Sequence, residues 1–318
     1  MKAKFIFSLV LFFVFIVLVT SLWLPQTITR KAPSPLKTTP LSIFKRLFEK
    51  KESIVLVAVG DVMLGRSVNA KMRSLNDFTY PFQKTASFLK SADLAFINLE
   101  SPFYDYCPTT NEGMKFCADP RAIEGLVLAG VDIVNLANNH IRNYGTEGVS
   151  LTQNLLQENK IDFLGLNNNL VIKTTKETKF GFLGFDLTSG YQEEKILEQV
   201  KKARPRVDIL IVSFHWGIEY AKEPTTRQVE LAHQVVEAGT DLILGHHPHV
   251  IQKAEDYKGA KIVYSLGNFI FDQPWSEKTK KGLVGIFTFE DKKLIKSEFK
   301  EVYIQNFCQP IIQNTVEP

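Results

Sequence analysis

From residue 52 onward the chain alternates between short, nearly unbroken apolar runs and longer stretches whose apolar residues return every three or four positions. The runs are IVLVAV (54–59), LAFIN (94–98), DIVNLA (132–137), DFLGL (162–166), FGFLGF (180–185), DILIVSF (208–214), DLILG (241–245) and KIVYSL (261–266). Apolar runs of this length predict strands, and the stretches 82–90, 119–129, 147–159, 192–203 and 226–238 predict helices. Asp119 and Pro120 supply the cap and first turn of the second helix. Strands alternating with helices imply βαβ units and a largely parallel sheet. Towards the end the pattern changes. The DYKG turn (256–259), GLVGIFTFE and KKLIKSEFKEVYI read as antiparallel β-structure. A second sheet is therefore expected. The predicted fold is an α/β sandwich of two mixed β-sheets flanked by helices, forming one domain over 52–305, with 306–318 left as a C-terminal tail.

The first 51 residues follow another pattern. After a four-residue tail (1–4), residues 5–24 carry no charge, and sixteen of the twenty are Leu, Ile, Val or Phe. That length matches a bilayer's hydrocarbon core, and insertion is favoured by about 5–10 kcal/mol. A transmembrane anchor is expected here. A cleaved signal sequence, cut near Val19 and Ser21, is the alternative. Lys2, Lys4 and the terminal amine nearly balance Arg30, Lys31 and Lys37 across the span, but so short a tail favours a globular part outside the cytoplasm. Residues 25–51 read as a basic, Pro-containing linker, either a solvated spacer or a contact for anionic head groups or an anionic polymer.

Composition changes this picture in two ways. The chain is 45% apolar over 318 residues, enough for a full core. Its net charge of +4 is concentrated at one end: nine of 38 basic and one of 34 acidic residues precede residue 52, so the remainder carries 29 and 33, net −4. A mildly acidic globular part has no nucleic-acid footprint. The three cysteines form no metal pattern. Cys107 and Cys117 bracket a loop-like segment, where a disulfide would be permitted outside the cytoplasm, leaving Cys308 free.

The candidate chemistry lies at the carboxyl ends of the predicted strands, where open α/β sheets bind ligands. Asp61 follows the first run, Asn98 and Glu100 the second, and Asn138, Asn139 and His140 the third. His215 follows ILIVSF, and His246, His247 and His249 follow DLILG. Three of the chain's six histidines thus fall within four positions. Carboxylate, amide and imidazole suit a divalent metal such as Zn, Mn or Fe. A lone residue of this kind usually caps a helix or lies in a loop; five strands delivering them to one edge point to a site. His247 and His249, two apart, share a face of an extended segment.

The motifs AVGDVMLGR, FINLESP, NLANNHIRNYG, SFHWGIEY, GHHPHVIQ and YSLGNFIFD occur in order between about 54 and 272. In this the chain resembles the calcineurin-like metallophosphoesterases and, more closely, their CapA branch, linked to poly-γ-glutamate capsule synthesis and export. The resemblance implies one or two divalent ions. Asp61 and His249 would hold one, Glu100 would bridge, and Asn139, His215 and His247 would hold the other. His140 would act as general acid, with Asp61 counted in the catalytic set. Two departures stand out. The D-x-H pattern of the superfamily is here Asp61-Val62-Met63, and the usual bridging Asp is Glu100. Asn143 stands where the branch more often has Asp. His246 is either a contact to a ligand or substrate or an exposed loop residue. Arg66 either meets an anionic substrate or makes a surface ion pair. Asn268 and Asp272 either line the site or make turns, and His233 reads as structural.

No P-loop, G-x-S-x-G elbow or reactive cysteine signature is present. Any ATP-driven ligation would fall to partner subunits in the membrane. Three functional readings follow: a capsule-machinery component handling an anionic polymer, a metal-dependent hydrolase of another envelope phosphoester or amide, and a non-catalytic interaction module with a degenerate site.

Overall fold

In the computed structural model, residues 52–167 and 169–318 are described. The predicted anchor (5–24) and linker (25–51) lie outside the described residues, as does the tail 1–4. Among the described residues no helix is long and apolar enough to cross a membrane.

The amino-terminal half follows the βαβ pattern. β1 (Ile54–Val62) leads into α1 (Arg66–Leu75), a 3-10 turn (Tyr80–Phe82) and α2 (Ala86–Lys90). β2 (Leu94–Leu99) precedes a 3-10 turn (Pro120–Ala122) and α3 (Ile123–Leu128); Asp119 caps that turn by accepting the N–H of Arg121. β3 (Ile133–Asn135), α4 (Gly145–Glu158) and β4 (Asp162–Leu164) complete it. Strands β1 to β4 run parallel in one sheet.

The next elements are β5 (Val171–Thr175), β6 (Thr178–Asp186), α5 (Glu193–Ala203), β7 (Ile209–His215), α6 (Thr226–Glu237), β8 (Leu242–His246), β9 (Ala254–Tyr257) and β10 (Ala260–Val263). They form a second sheet of order β5-β6-β7-β8-β10-β9, parallel at its centre and antiparallel at both edges. The last elements are β11 (Asn268–Ile270), β12 (Lys281–Glu290), β13 (Lys293–Gln305) and β14 (Gln309–Val316). The last three return to the first sheet, giving the order β14-β13-β12-β1-β2-β3-β4, and β11 pairs with the end of β1.

Alternation along the strands builds three apolar layers. Leu56, Ala58, Phe96 and Ile133 face Phe182, Ile211 and Leu244 across the sheet–sheet core, with Phe96 stacked on Phe182 at 6.1 Å between ring centroids. Val57, Val59, Ile97 and Val134 turn the other way and pack with Val68, Met72 and Leu126 of the first sheet's helices. Leu183, Val212 and Ile243 pack with Ile196, Val200, Leu231 and Val235 beneath the second. Strands covered on both faces must be apolar throughout, which is why these runs are nearly unbroken.

Two expectations are corrected, and two elements are new. The antiparallel tail does not make the second sheet; it extends the first, and the division falls between β4 and β5. Residues 306–318 are not a loose tail, because Gln309–Val316 pairs with β13 and buries Cys308, Gln309 and Pro310. Helix α1 and strand β5 were not predicted. α1 follows the Gly60-Asp61 segment with no side-chain cap, and β5 is a half-buried edge strand with Lys173 at its centre.

Candidate metal centre at the strand edge

Register brings the polar residues together. In the first sheet Asp61 pairs with Asn98, and Asn98 with Asn135. In the second, Asp186 pairs with His215, and His215 with His246. Each set is a row across neighbouring strand ends, and Glu100 follows at the end of β2. Asp61, Glu100, His215 and His246 are fully buried.

Asp61 is heavily supported. Its Oδ1 accepts from Asn98 Nδ2 at 2.9 Å and lies 3.1 Å from His246 Nδ1. Its Oδ2 accepts the backbone N–H of His247 at 3.3 Å and lies 3.1 Å from His249 Nδ1. Burial alone would raise its pKa, but the His246 and His249 contacts outweigh burial and hold it well below the ordinary carboxylate value.

Glu100 is the opposite case. Both its carboxylate oxygens are buried and accept no hydrogen bond from the described residues. Three imidazole nitrogens stand just beyond hydrogen-bond range of Oε1: His249 Nε2 at 3.7 Å, and His140 Nε2 and His215 Nε2 at 3.9 Å. Burial, then repulsion from Asp61, pushes the Glu100 pKa well above the usual range. An unpartnered buried carboxylate is costly. Donors each about 2.0–2.2 Å from one cation can stand up to about 4.2 Å apart. The spacing around Glu100 therefore fits a cation shared with the imidazoles, whereas it is too long for hydrogen bonds.

The remaining donors gather beside it. His215 Nε2 lies 3.0 Å from Asn139 Oδ1 and 3.2 Å from His247 Nδ1. Burial holds His215 and His247 below the usual imidazole pKa, so both are neutral at neutral pH, the state a metal requires. Two groups have ligand atoms within 4.8 Å of one another: Asp61, Glu100 and His249, and Glu219, His247 and His249. His247 and His249 hold positive φ angles of 95° and 56°, as do Arg66 (46°) and Tyr220 (63°). A non-glycine residue held there costs about 1–3 kcal/mol, and such strain gathers at functional sites.

All the sequence-predicted residues converge on this edge, though some in other roles than expected. His246 is not an exposed loop residue: it braces Asp61 from within the core. Asn268 Oδ1 meets His249 Nδ1 at 3.1 Å while its own amide is held by Gln273 and by the carbonyl of Thr279. Arg66 makes a buried rather than a surface ion pair, with Asp272, and lies 4.6 Å over the Phe116 ring. Met63 is buried and its sulfur accepts the N–H of Gly65 at 3.0 Å, so it belongs to its own loop. His140 Nδ1 meets Asn143 Oδ1 at 2.9 Å, and Phe116 stacks on its ring at 3.9 Å. Burial brings its pKa down to about 4, and the neutral amide of Asn143 does less to restore it than a carboxylate would. At neutral pH His140 therefore starts as a proton acceptor, and can act as the expected acid only after taking up a proton. Cys107 and Cys117 are disulfide-bonded, closing the loop that presents Phe116; Cys308 is free and buried. His233, on α6, pairs with Glu255 at 2.8 Å, a structural role.

Sequence reading missed the roles of Asn98, Asn143, Asp186 and Glu219. Asn98 and Glu219 lie inside the FINLESP and SFHWGIEY motifs, so their position was the available signal. A cleft of ≈ 190 Å³ opens beside Asn139, lined also by Asn138, Arg142, Asp186 and Ser189.

Two mixed sheets packed face to face, with imidazole, carboxylate and amide groups meeting at one strand edge, define an α/β sandwich consistent with the calcineurin-like metallophosphoesterase fold. The profile described as "Bacterial capsule synthesis protein PGA_cap" matches residues 55–273. The chain is 30% identical over 306 residues to the capsule biosynthesis protein CapA of Bacillus anthracis, covering 87% of this chain and 71% of that one. It is 30% identical over 249 residues to the PGA biosynthesis protein CapA of Bacillus subtilis, covering 71% of this chain and 65% of that one. A probable polyglutamine synthesis accessory protein of Mycobacterium tuberculosis is 24% identical over 262 residues, covering 70% of this chain and 67% of that one. The chain belongs to the bacterial capsule synthesis protein family.

Proposed function

We propose that this protein is a membrane-anchored, extracytoplasmic component of capsule-polymer synthesis or export. It handles a polyanion of the poly-γ-glutamate type at a strand-edge centre for one or two divalent metal ions, Mn, Zn or Fe. The observation that carries the metal reading is Glu100: a buried carboxylate without a hydrogen-bond partner among the described residues, with three imidazoles at 3.7–3.9 Å. Asp61, Glu100, Asn139, His215, His247 and His249 would hold the metal.

When bound, such a cation polarises a phosphoryl or amide oxygen and makes water more acidic, the chemistry of a hydrolase. The chain's own residues do the rest. His246 and Asn98 hold Asp61 ionised and fixed; Asn268 orients His249; Asn143 and Phe116 fix His140 so that it can accept a proton at Nε2 and return it. The apolar segment 5–24 supports anchoring. The Cys107–Cys117 disulfide supports an oxidising, extracytoplasmic setting. With no P-loop in the sequence, membrane partners would supply any ATP-driven step.

Met63 favours a second reading, in which the centre is degenerate and the domain acts by binding alone. Complementation separates the two. In cells lacking the protein, the wild-type gene should restore surface polymer, and His247→Ala should fail while remaining folded and membrane-bound. Full restoration by a His215→Ala, His247→Ala double variant would leave only the non-catalytic reading.

A further inference from the structure

The loop after β7 carries a carboxylate with no part in the donor set named above. Glu219 places an oxygen within 4.8 Å of a ring nitrogen on both His247 and His249. The loop is shaped to bring it there. Gly217 (φ 90°) and Tyr220 (φ 63°) both take left-handed conformations, turning the chain back towards the strand edge. The Tyr220 N–H then donates to the carbonyl of Pro248 at 2.8 Å, tying this turn to the residue between the two histidines. Tyr220 also lies 6.2 Å from the His249 ring between centroids, and its hydroxyl accepts from Gln273, which holds Asn268. Glu219 is half-buried, whereas Asp61 and Glu100 are sealed, so it stands on the solvent side of the cluster.

The donor count explains why such a group is needed. Met63 stands where the D-x-H pattern would place an imidazole, and its sulfur is engaged with Gly65. A thioether is in any case a poor ligand for a hard or borderline divalent ion, whereas a carboxylate is a good one.

We propose that Glu219 is itself a metal ligand, forming with His247 and His249 a donor set on the solvent side of a cluster that lacks the imidazole usual at Met63. The proposal rests on the reading that the strand-edge cluster holds divalent cations. A carboxylate added to the two imidazoles moves the centre towards harder ions, Mn over Zn.

The test is manganese binding to the full chain in detergent, followed by electron paramagnetic resonance for wild type, Glu219→Gln and His247→Ala, with elemental analysis of the bound ions. Glu219→Gln should weaken the weaker of the bound ions by at least about tenfold. The thermal midpoint of its metal-free form should equal that of wild type, because the side chain is half-exposed. Glu219→Asp should recover part of the lost affinity. Wild-type manganese affinity and stoichiometry in Glu219→Gln would overturn the proposal and leave the strand-edge centre standing. Failure of the wild type to bind manganese, zinc or iron would overturn both.

Discussion

Asp61 and Glu100 are both sealed carboxylates, yet their surroundings drive them in opposite directions. Asp61 is surrounded by donors and stays ionised; Glu100 has none among the described residues, and burial favours its neutral form. A bound cation would reverse the position of Glu100 by supplying the missing charge. His246 acts one step back, through Asp61. His246→Leu removes that contact and keeps an apolar side chain beside Phe96, 6.3 Å from the His246 ring. Its expected effect is a loss of about 10–100-fold in metal affinity, as for other residues that orient a ligand. Isothermal titration with Mn would measure it, and an unchanged affinity would show that Asp61 needs no such brace.

Among the elements, the parallel strands place the site, and two glycines let their ends close on one another. The end of β1 lies against β11, with the Asp61 N–H donating to the Gly267 carbonyl at 2.8 Å. A methyl group at Gly60 would run into that same carbonyl, and one at Gly245 into the carbonyl of Tyr264. Gly60→Ala should therefore cost about 1–3 kcal/mol of stability and, by moving Asp61, reduce bound metal as well. Thermal unfolding and metal analysis on the same sample would check this; a stable variant with full metal content would contradict it. The parallel strands were legible in the sequence because burial on both faces forces unbroken apolar runs. α1 was not, because Val68, Met72 and Leu75 form only a narrow apolar stripe among polar residues. β5 was not, because an edge strand half open to solvent tolerates Lys173 at its centre. The strand-end residues were legible as a set, since charged groups and amides after apolar runs stand out. The partners that fix them were not, because only the fold brings Asn98 to Asp61 or Asn143 to His140.

At the scale of the whole molecule, the sequence pattern predicted two mixed sheets but misplaced the boundary between them. Local pattern shows that a strand is antiparallel and does not show which sheet receives it. β12 to β14 return to β1 across more than two hundred residues of chain, a long-range pairing that no local window contains. That return also seats β11, and with it Asn268 beside His249, so the last fifth of the domain helps build the candidate metal centre. The chain belongs to a capsule synthesis family; the candidate centre decides whether the proposed role is exercised by chemistry. The measurement that bears most directly on this is the metal content of the purified full chain, wild type against His247→Ala. The account predicts about one or two equivalents of Mn, Zn or Fe per chain, lost in the variant while its circular dichroism is unchanged. A wild type that binds none of these ions, or a variant that keeps them all, would contradict it.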